Sequence, residues 1–169
     1  DLLAVDKPSG MAVHAGSGLA WGLIDALRQD RPGQFVELVH RLDRDTSGCL
    51  LLARNGAALK RLSASFRAGE VDKFYLCLLD GRLPQDLLEV DAPLARAAAG
   101  QRRLVEVSSE GKPALTRFRR LETLAGCTYA EAELLTGRTH QIRVHAAHLG
   151  MPLAGDDKYG ERSAVSEWR

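Results

Sequence analysis

The stretch HRLDRDTSG, residues 40–48, is followed at once by the apolar run CLLLA, residues 49–53. Two arginines and two aspartates fall within the five positions 41–45. The apolar run predicts a buried strand, and Leu42 predicts a second apolar anchor on the other side of the charges. Residues 46–48, Thr-Ser-Gly, offer hydroxyl-to-backbone hydrogen bonds and a permissive glycine. We therefore expect a rigid, charged loop that is fixed to the core at both ends.

The whole chain has the composition of an ordinary soluble globular protein, and its 169 residues suit one domain. The net charge is +1, so global charge favours no class of partner. Cys49, Cys77 and Cys127 lie far apart inside apolar runs, which predicts buried thiols in a reducing compartment, the cytoplasm, and no disulfide. The sequence contains neither an apolar run long enough to span a membrane nor a signal peptide.

Strand patterns outnumber helix patterns along the chain. Helices are predicted over residues 19–29, between an Asn55 cap and Gly69, and from a Thr139 cap to Gly150. Strands are predicted at the N-terminus and over CLLLAR, and further at residues 71–81, 101–107, 114–123 and 127–135. The predicted class is α+β, with a mixed, largely antiparallel sheet and flanking helices and loops.

One segment of this near-neutral chain is strongly basic. From Arg96 to Arg120 there are seven basic residues against two acidic ones, which suggests a patch facing a polyanion. Its candidates for contact with nucleic acid are four arginines, namely Arg102, Arg103, Arg117 and Arg119. From charge alone, a solvated strand face explains the segment better.

Metal and cofactor motifs are missing from the sequence. His140, His145 and His148 are close in sequence, but no HExxH pattern connects them, so we expect structural or RNA-facing histidines and no metal. No glycine-rich phosphate loop is present, so we expect no nucleotide cofactor. Phe74 and Tyr75 are adjacent in a strand and must face opposite sides, so one belongs to the core and the other can stack on a planar ligand.

Together these segments resemble one family, the RluA-type pseudouridine synthases, and most closely the RluC branch that acts on large-subunit ribosomal RNA. HRLDRDTSG is similar to the family's signature, DKPSGMAVHAGSG to its first motif and KFYLCLLDG to its tyrosine-bearing strand. LLTGRTHQIRVHAAHLGMPLAGDDKYG is similar to its third motif. The departures are Asp6 in place of the usual Asn and Cys77 in place of a common Ala. The resemblance implies the pseudouridine-synthase fold, built around a central cleft.

The resemblance also implies roles for individual residues. The catalytic residues by position are an aspartate, a tyrosine and the basic residue that pairs with the aspartate, namely Asp43, Tyr75 and Arg138. Arg41 matches the arginine that displaces the base from its stack. The other residues expected to contact RNA are His40, Lys73, Thr139, His140 and Arg143, with Arg102 and Arg103 of the basic segment.

The implied reaction converts uridine in ribosomal RNA to pseudouridine without a cofactor or metal, in a bacterial, monomeric enzyme. Residues 1–169 are expected to form the catalytic domain, and a small S4-like RNA-binding domain is expected upstream of Asp1. Two alternatives remain. One is a catalytically idle RNA-binding or ribosome-assembly module on the same fold, which would not need Asp43, Tyr75 and Arg138 together. The other is a metal-assisted nuclease or hydrolase using His140, His145 and acidic partners, which a metal analysis would detect.

Overall fold

The computed structural model describes residues 1–16, 20–97 and 104–160. The chain divides into two compact units, Asp1–Val71 and Asp72–Arg169. The elements of the first unit are β1 (Leu2–Lys7), α1 (Leu23–Asp30), β2 (Glu37–Leu38), β3 (Gly48–Ala53) and α2 (Gly56–Ala68). Those of the second are β4 (Phe74–Leu79), β5 (Leu87–Asp91), β6 (Leu94–Arg96), β7 (Val105–Val107), β8 (Leu115–Thr123), β9 (Thr128–Leu134) and α3 (Gln141–His148). Helices combined with antiparallel sheets confirm the predicted α+β class.

The first unit contains a three-stranded antiparallel sheet in the order β1-β3-β2. Leu50, Leu52 and Ala53 of β3 have no exposed surface, and Leu42 is only 7% exposed. The apolar run therefore forms part of the core, and the loop before it is anchored on both sides, as predicted. Cys49 belongs to the same strand but is exposed, because alternate side chains of a strand point to opposite faces.

Local sequence signals determine the ends of the helices in this unit. The Asn55 side chain accepts a hydrogen bond from the Ala58 N–H at 2.8 Å, and Gly69 closes α2 with a φ of 75°, so both predicted ends are confirmed. The first helix begins later than predicted, at Leu23. Gly22 is extended, and its N–H donates to the Asp25 carboxylate at 2.8 Å, which caps the helix at that point.

The second unit contains a four-stranded antiparallel sheet in the order β4-β9-β8-β5 and a two-stranded ribbon of β6 and β7. The predicted strands over 114–123 and 127–135 are confirmed as β8 and β9. Of the strand predicted over 101–107 the structure has β7, while residues 101–103 lie outside the described ranges. The core of this unit is an apolar cluster consisting of Leu79, Leu83, Val90, Ala92, Phe118, Ala130, Ala132 and Ala146.

The N-cap of α3 lies one residue after the predicted cap, and the helix begins at Gln141. His140, and not Thr139, is the N-cap residue, and its backbone is left-handed with a φ of 54°. Because the chain turns through His140 before entering the helix, Thr139 lies outside the cap position. Gly150, with a φ of 71°, follows the helix, which confirms the predicted end.

The three cysteines are free thiols, but their environments differ. Cys127 is buried and Cys77 is half-buried, and burial raises the pKa of Cys77 to about 12. The prediction of a buried thiol is thus wrong for the exposed Cys49 and right for Cys127. In the described parts of the chain, no helix combines the length and the apolar character that a membrane crossing requires.

Candidate active site

The loop of residues 40–48 is hydrogen-bonded to a buried lysine at the end of β1. Lys7 has no exposed surface. Its Nζ donates hydrogen bonds to the carbonyl oxygens of Pro8 at 2.9 Å, Met11 at 2.8 Å and Arg44 at 2.8 Å. Three acceptors match the three N–H donors of an ammonium group. The charge of Lys7 thus fixes the loop backbone next to Asp43.

Electrostatics around Lys7 act in two directions. Burial lowers the pKa of Lys7, while the negative charges of Asp45 and Asp43 raise it and only partly offset the burial. Ser9 adds a second attachment, because its hydroxyl donates to the Asp45 carbonyl oxygen at 2.8 Å. Within the loop, the Thr46 N–H donates to the Asp43 carbonyl oxygen at 3.2 Å, which closes a turn. The rigidity predicted from the sequence therefore has three identifiable sources.

His40 ties the start of the same loop to its neighbours. The Leu51 N–H donates to His40 Nε2 at 3.0 Å, so this nitrogen is unprotonated. The ring stacks on Phe66 of α2, with centroids 4.8 Å apart and planes inclined by 14°. Burial lowers the pKa of His40, and a backbone hydrogen bond involving Arg41 opposes that effect. The structure gives His40 an internal role as an anchor.

The charged side chains of the loop differ in exposure. Asp43 is half-buried, whereas Arg41 and Arg44 are exposed. Arg44 forms a two-point ion pair with Asp45, with Nε–Oδ1 at 2.9 Å and Nη2–Oδ2 at 3.2 Å. The first unit therefore brings together Arg41 and Asp43, the predicted base-displacing and catalytic residues, on one turn. We call it the clamped turn, because Lys7 and Ser9 form hydrogen bonds to its backbone.

In the second unit, Tyr75 and Phe74 take opposite faces of β4, as predicted. Phe74 is 56% exposed, and Tyr75 is half-buried and packs against the apolar core cluster. Lys73, just before β4, is half-buried, and its carbonyl oxygen accepts the Leu134 N–H at 2.9 Å. Tyr75 is thus the ring whose position the core determines.

Arg138 lies on the turn between β9 and α3. Its backbone N–H donates to Gln141 Oε1 at 2.9 Å, and its side-chain Nε donates to the Pro113 carbonyl oxygen at 3.0 Å. The backbone and the guanidinium of Arg138 are therefore both attached to the second unit. Thr139 is the next residue on this turn and is exposed.

The first turn of α3 is packed against Tyr159. His140 Nδ1 and the Tyr159 hydroxyl are 2.7 Å apart, and that hydroxyl accepts the Val105 N–H at 3.0 Å. Among the described residues, His140 is the one non-glycine residue with a positive φ. Such a conformation persists where the surroundings determine it, and it is frequent at functional sites.

Arg143, also predicted to contact RNA, forms a two-point ion pair with Asp156, at 2.7 Å and 2.5 Å. The side chains are 16% and 3% exposed. Burial tends to raise the pKa of Asp156, but the hydrogen bonds and charge of Arg143, with the N–H groups of Lys158 and Tyr159, hold it below its ordinary value. The geometry thus gives Arg143 a structural partner.

The basic segment separates into two parts. Arg117 bonds Glu89 at 2.8 Å and Glu133 at 3.4 Å, and Arg119 bonds Glu131 at 2.5 Å, all on one face of the four-stranded sheet. These two arginines are therefore neutralised by neighbouring strands. Arg102 and Arg103 lie outside the described residues. Within residues 1–16, 20–97 and 104–160, no three His, Cys, Asp or Glu side chains are grouped as a metal site would require.

Comparison with known proteins decides what this arrangement represents. The family model described as RNA pseudouridylate synthase matches residues 1–148. The chain belongs to the RNA pseudouridylate synthase family. Proteins named ribosomal large subunit pseudouridine synthase C are 51% identical to it in Vibrio cholerae, over 162 residues, and 49% identical in Escherichia coli, over 164 residues. Each match covers 95% of this chain and 51% of the relative.

Solved structures agree with this assignment. Human RNA pseudouridylate synthase domain containing 1 superposes with a TM-score of 0.84 and 32% identity, covering 100% of this chain and 70% of that one. Human RNA pseudouridylate synthase domain containing 4 gives 0.77 and 25%, covering 97% and 67%. The predicted family and fold are confirmed. The chain spans about half the length of the bacterial relatives named above.

Three residues that hold the candidate site residues in place were missed by the sequence reasoning, namely Lys7, Gln141 and Asp156. Lys7 follows an apolar strand and precedes Pro-Ser-Gly, and a lysine at a core-facing position of a strand is an available signal. Gln141 and Asp156 lie inside the third motif, but they are not among the residues of that motif to which the resemblance assigned roles. Only their burial and hydrogen bonds distinguish them from solvated polar residues.

Proposed function

We propose that this chain is the catalytic part of an enzyme that isomerises specific uridines to pseudouridine in large-subunit ribosomal RNA. One observation carries the proposal, namely 49–51% identity, along 95% of the chain, to proteins named for that activity. The clamped turn that presents Asp43 is consistent with it. The upstream RNA-binding domain expected from the sequence remains a prediction.

The reaction exchanges one bond for another. The N1–C1′ bond of uridine breaks, the C5–C1′ bond forms, the proton on C5 leaves and N1 gains a proton, so atoms and electrons balance without a co-reactant. Breaking a glycosidic bond develops positive charge at C1′. We assign to the carboxylate of Asp43 the stabilisation of that charge, by addition to C1′ or by removal of a proton from C2′.

The other two catalytic residues follow from chemistry of the same kind. Arg138 is proposed to pair electrostatically with the aspartate, because a guanidinium is always charged and binds a carboxylate at two points. Tyr75 is proposed as the platform on which the detached uracil rotates, and as a group that helps to remove the C5 proton. Support for Tyr75 comes from its half-buried position against the core cluster.

RNA contact is proposed for Arg41, Lys73 and Thr139, and for Arg102 and Arg103 in the basic segment. Arg41 is exposed on the same turn as Asp43, which suits an arginine that takes the place of an extruded base. His40, His140 and Arg143 were predicted to touch RNA as well. Their internal partners favour a supporting role for these three residues.

We propose that the enzyme acts as a monomer in the cytoplasm, where its ribosomal RNA substrate is made, and that it uses no cofactor. Isomerisation includes neither a redox step nor a phosphoryl transfer, so the chemistry itself makes no demand for one. A metal-assisted nuclease is disfavoured by the family membership. Chelation with EDTA is expected to leave the isomerisation rate unchanged when the RNA fold is preserved.

The decisive experiment compares Asp43→Asn with Asp45→Asn. Both changes are nearly isosteric and remove one charge from the same turn. Asp43→Asn is expected to lower the single-turnover rate on a ribosomal RNA fragment by about 10³-fold or more, the scale seen when a reacting group is removed. Asp45→Asn should retain most of the activity. Near wild-type pseudouridine formation by purified Asp43→Asn protein would refute the assignment and favour an idle RNA-binding module.

A further inference from the structure

A connected chain of polar side chains lies inside the apolar core of the second unit. Thr116 of β8 and Gln141 and His145 of α3 are at most 2% exposed. Their neighbours in sequence belong to the apolar core, for example Phe118 and Ala146. Polar groups buried at this depth destabilise a protein unless they are hydrogen-bonded, so each partner matters.

The direction of every hydrogen bond in this chain can be deduced from one carbonyl. His145 Nε2 lies 2.9 Å from the Ala92 carbonyl oxygen, which can only accept, so Nε2 carries the proton. In a neutral ring Nδ1 is then an acceptor, and the Thr116 hydroxyl donates to it at 2.9 Å. Burial lowers the pKa of His145, which agrees with the neutral form.

Gln141 continues the chain towards the turn between β9 and α3, which carries Arg138. Its Nε2 donates to Thr116 Oγ1 at 2.9 Å and to the Leu115 carbonyl oxygen at 3.0 Å. Rotating the amide by half a turn would place its oxygen against the Leu115 oxygen, so a single orientation is stable. That orientation directs Oε1 to the Arg138 N–H at 2.9 Å and the Thr136 hydroxyl at 2.8 Å.

We propose that Thr116, Gln141 and His145 form a positioning network for Arg138. The network fixes the backbone of Arg138 from inside the core, while Pro113 holds the Nε of its side chain. This inference rests on the proposed function, in which Arg138 is a catalytic residue. None of the three residues needs to touch the RNA, because each acts through the next.

The central residue offers a matched pair of variants. Thr116→Val keeps the shape and removes the hydroxyl, so His145 Nδ1 loses its donor and the Gln141 amide loses one acceptor. Thr116→Ser keeps the hydroxyl and loses only a methyl group. A displacement of about 1 Å at a reacting group lowers the rate by about 10²-fold. Thr116→Val should therefore lower the single-turnover rate at saturating RNA by about tenfold to a hundredfold.

The experiment measures three quantities for both variants in the full-length protein: the single-turnover rate, the dissociation constant for RNA and the hydrogen-exchange protection of the Arg138 amide. For Thr116→Val we expect a slower rate, an RNA affinity within about twofold of wild type, and loss of amide protection. Thr116→Ser should retain all three. If Thr116→Val does not fold, Gln141→Met serves the same test, since it removes the Oε1 acceptor with little change in volume.

An Arg138→Ala background separates positioning from a general loss of stability. In that background Thr116→Val should cause little further loss of rate, because the residue it positions is already gone. An equal loss in both backgrounds, or full amide protection with a wild-type rate in Thr116→Val, would overturn the network. If Arg138→Ala alone keeps the wild-type rate, the catalytic role of Arg138 fails, and amide exchange still decides whether the network positions the turn.

Discussion

The ammonium group of Lys7 donates a hydrogen bond to the carbonyl oxygen of Arg44 at 2.8 Å, across 37 positions of sequence. This bond connects the end of β1 to the turn that presents Asp43. A buried lysine with three carbonyl partners is an unusual choice for a strand end, because an aliphatic residue would fill the same space without a buried charge. The charge of Lys7 therefore stabilises the turn that presents Asp43 and not the apolar core.

Lys7→Met is expected to lower the free energy of unfolding by about 2–4 kcal/mol, because the carbonyls of Pro8, Met11 and Arg44 lose the charged donor that the buried Lys7 supplies. It should also reduce the single-turnover rate well below that of wild type at temperatures where the variant is folded. Lys60→Met on the exposed face of α2 is the matched control and should change neither quantity. Urea unfolding and RNA turnover measure the two effects. Equal unfolding free energies for the two variants would contradict the proposed clamp.

Stability should fall in mild acid because of two histidines, the half-buried His40 and the buried His145. Burial lowers the folded-state pKa of His40 and His145 below the ordinary value of 6.5. Between the lowered pKa and 6.5 the unfolded chain therefore binds more protons than the folded one, and the unfolding free energy falls as the pH falls. The stability that comes from keeping the two rings neutral is complete above pH 6.5, and it is lost progressively as the pH falls from 6.5 through the lowered folded-state pKa.

Urea unfolding from about pH 7.5 to about pH 5 tests this dependence. His40→Gln and His145→Gln should each flatten the curve, since each removes one group whose pKa is lowered by folding. The two histidines lie in different units, so their effects are expected to add. A wild-type curve without any decline would show that neither ring is kept neutral by folding.

The regular elements could be predicted where one periodicity dominates. Alternation gave β8 and β9 nearly to the residue, and Asn55 and Gly69 gave both ends of α2. The strands β5 and β6 were missed although Leu88, Val90, Ala92 and Leu94 alternate. Asp91 and Pro93 interrupt that pattern, and both residue types are depleted in strands.

The site was predictable as a set of residues but not as a set of contacts. HRLDRDTSG indicated a clamped charged turn, yet the clamp comes from Lys7, which is distant in sequence. Likewise, the pairing of Arg117 and Arg119 with glutamates depends on the register of three strands. Sequence alone contains the alternation of charges on each strand but not the register between strands, so a neutralised face was indistinguishable from an RNA-binding one.

Arg41 should matter more for structured RNA than for loose RNA. Extruding a base from a stem costs a few kcal/mol, and less when the base is already unpaired. An arginine that fills the gap would recover part of this energy. Arg41→Ala is therefore expected to slow single turnover on a stem-loop by about tenfold more than on an unstructured oligonucleotide, which corresponds to about 1.4 kcal/mol.

Arg44→Ala is the control for Arg41→Ala, because Arg44 is exposed on the same turn and is paired with Asp45. It should affect both RNA substrates to the same small extent. Equal losses on both substrates for Arg41→Ala would assign that residue a direct part in the chemistry instead of in base displacement.

The basic segment should contribute to RNA binding through Arg102 and Arg103 and not through Arg117 and Arg119. Each phosphate contact adds about 0.7 to 0.9 to the slope of log affinity against log salt concentration. Replacing Arg102 and Arg103 together by Gln should therefore flatten that slope by about 1.4 to 1.8. Single-turnover chemistry at saturating RNA should be nearly unchanged.

Replacing Arg117 and Arg119 together by Gln is the matched control. These two arginines already form ion pairs with Glu89, Glu133 and Glu131, so their replacement should leave the salt slope within error of wild type. A salt titration of RNA binding for the wild type and the two double variants decides between them. If both pairs give the wild-type slope, the whole segment is a solvated face and the RNA phosphates are held by other residues. If the Arg117 and Arg119 pair gives the larger change, the ion pairs open on binding and the assignment to Arg102 and Arg103 is wrong.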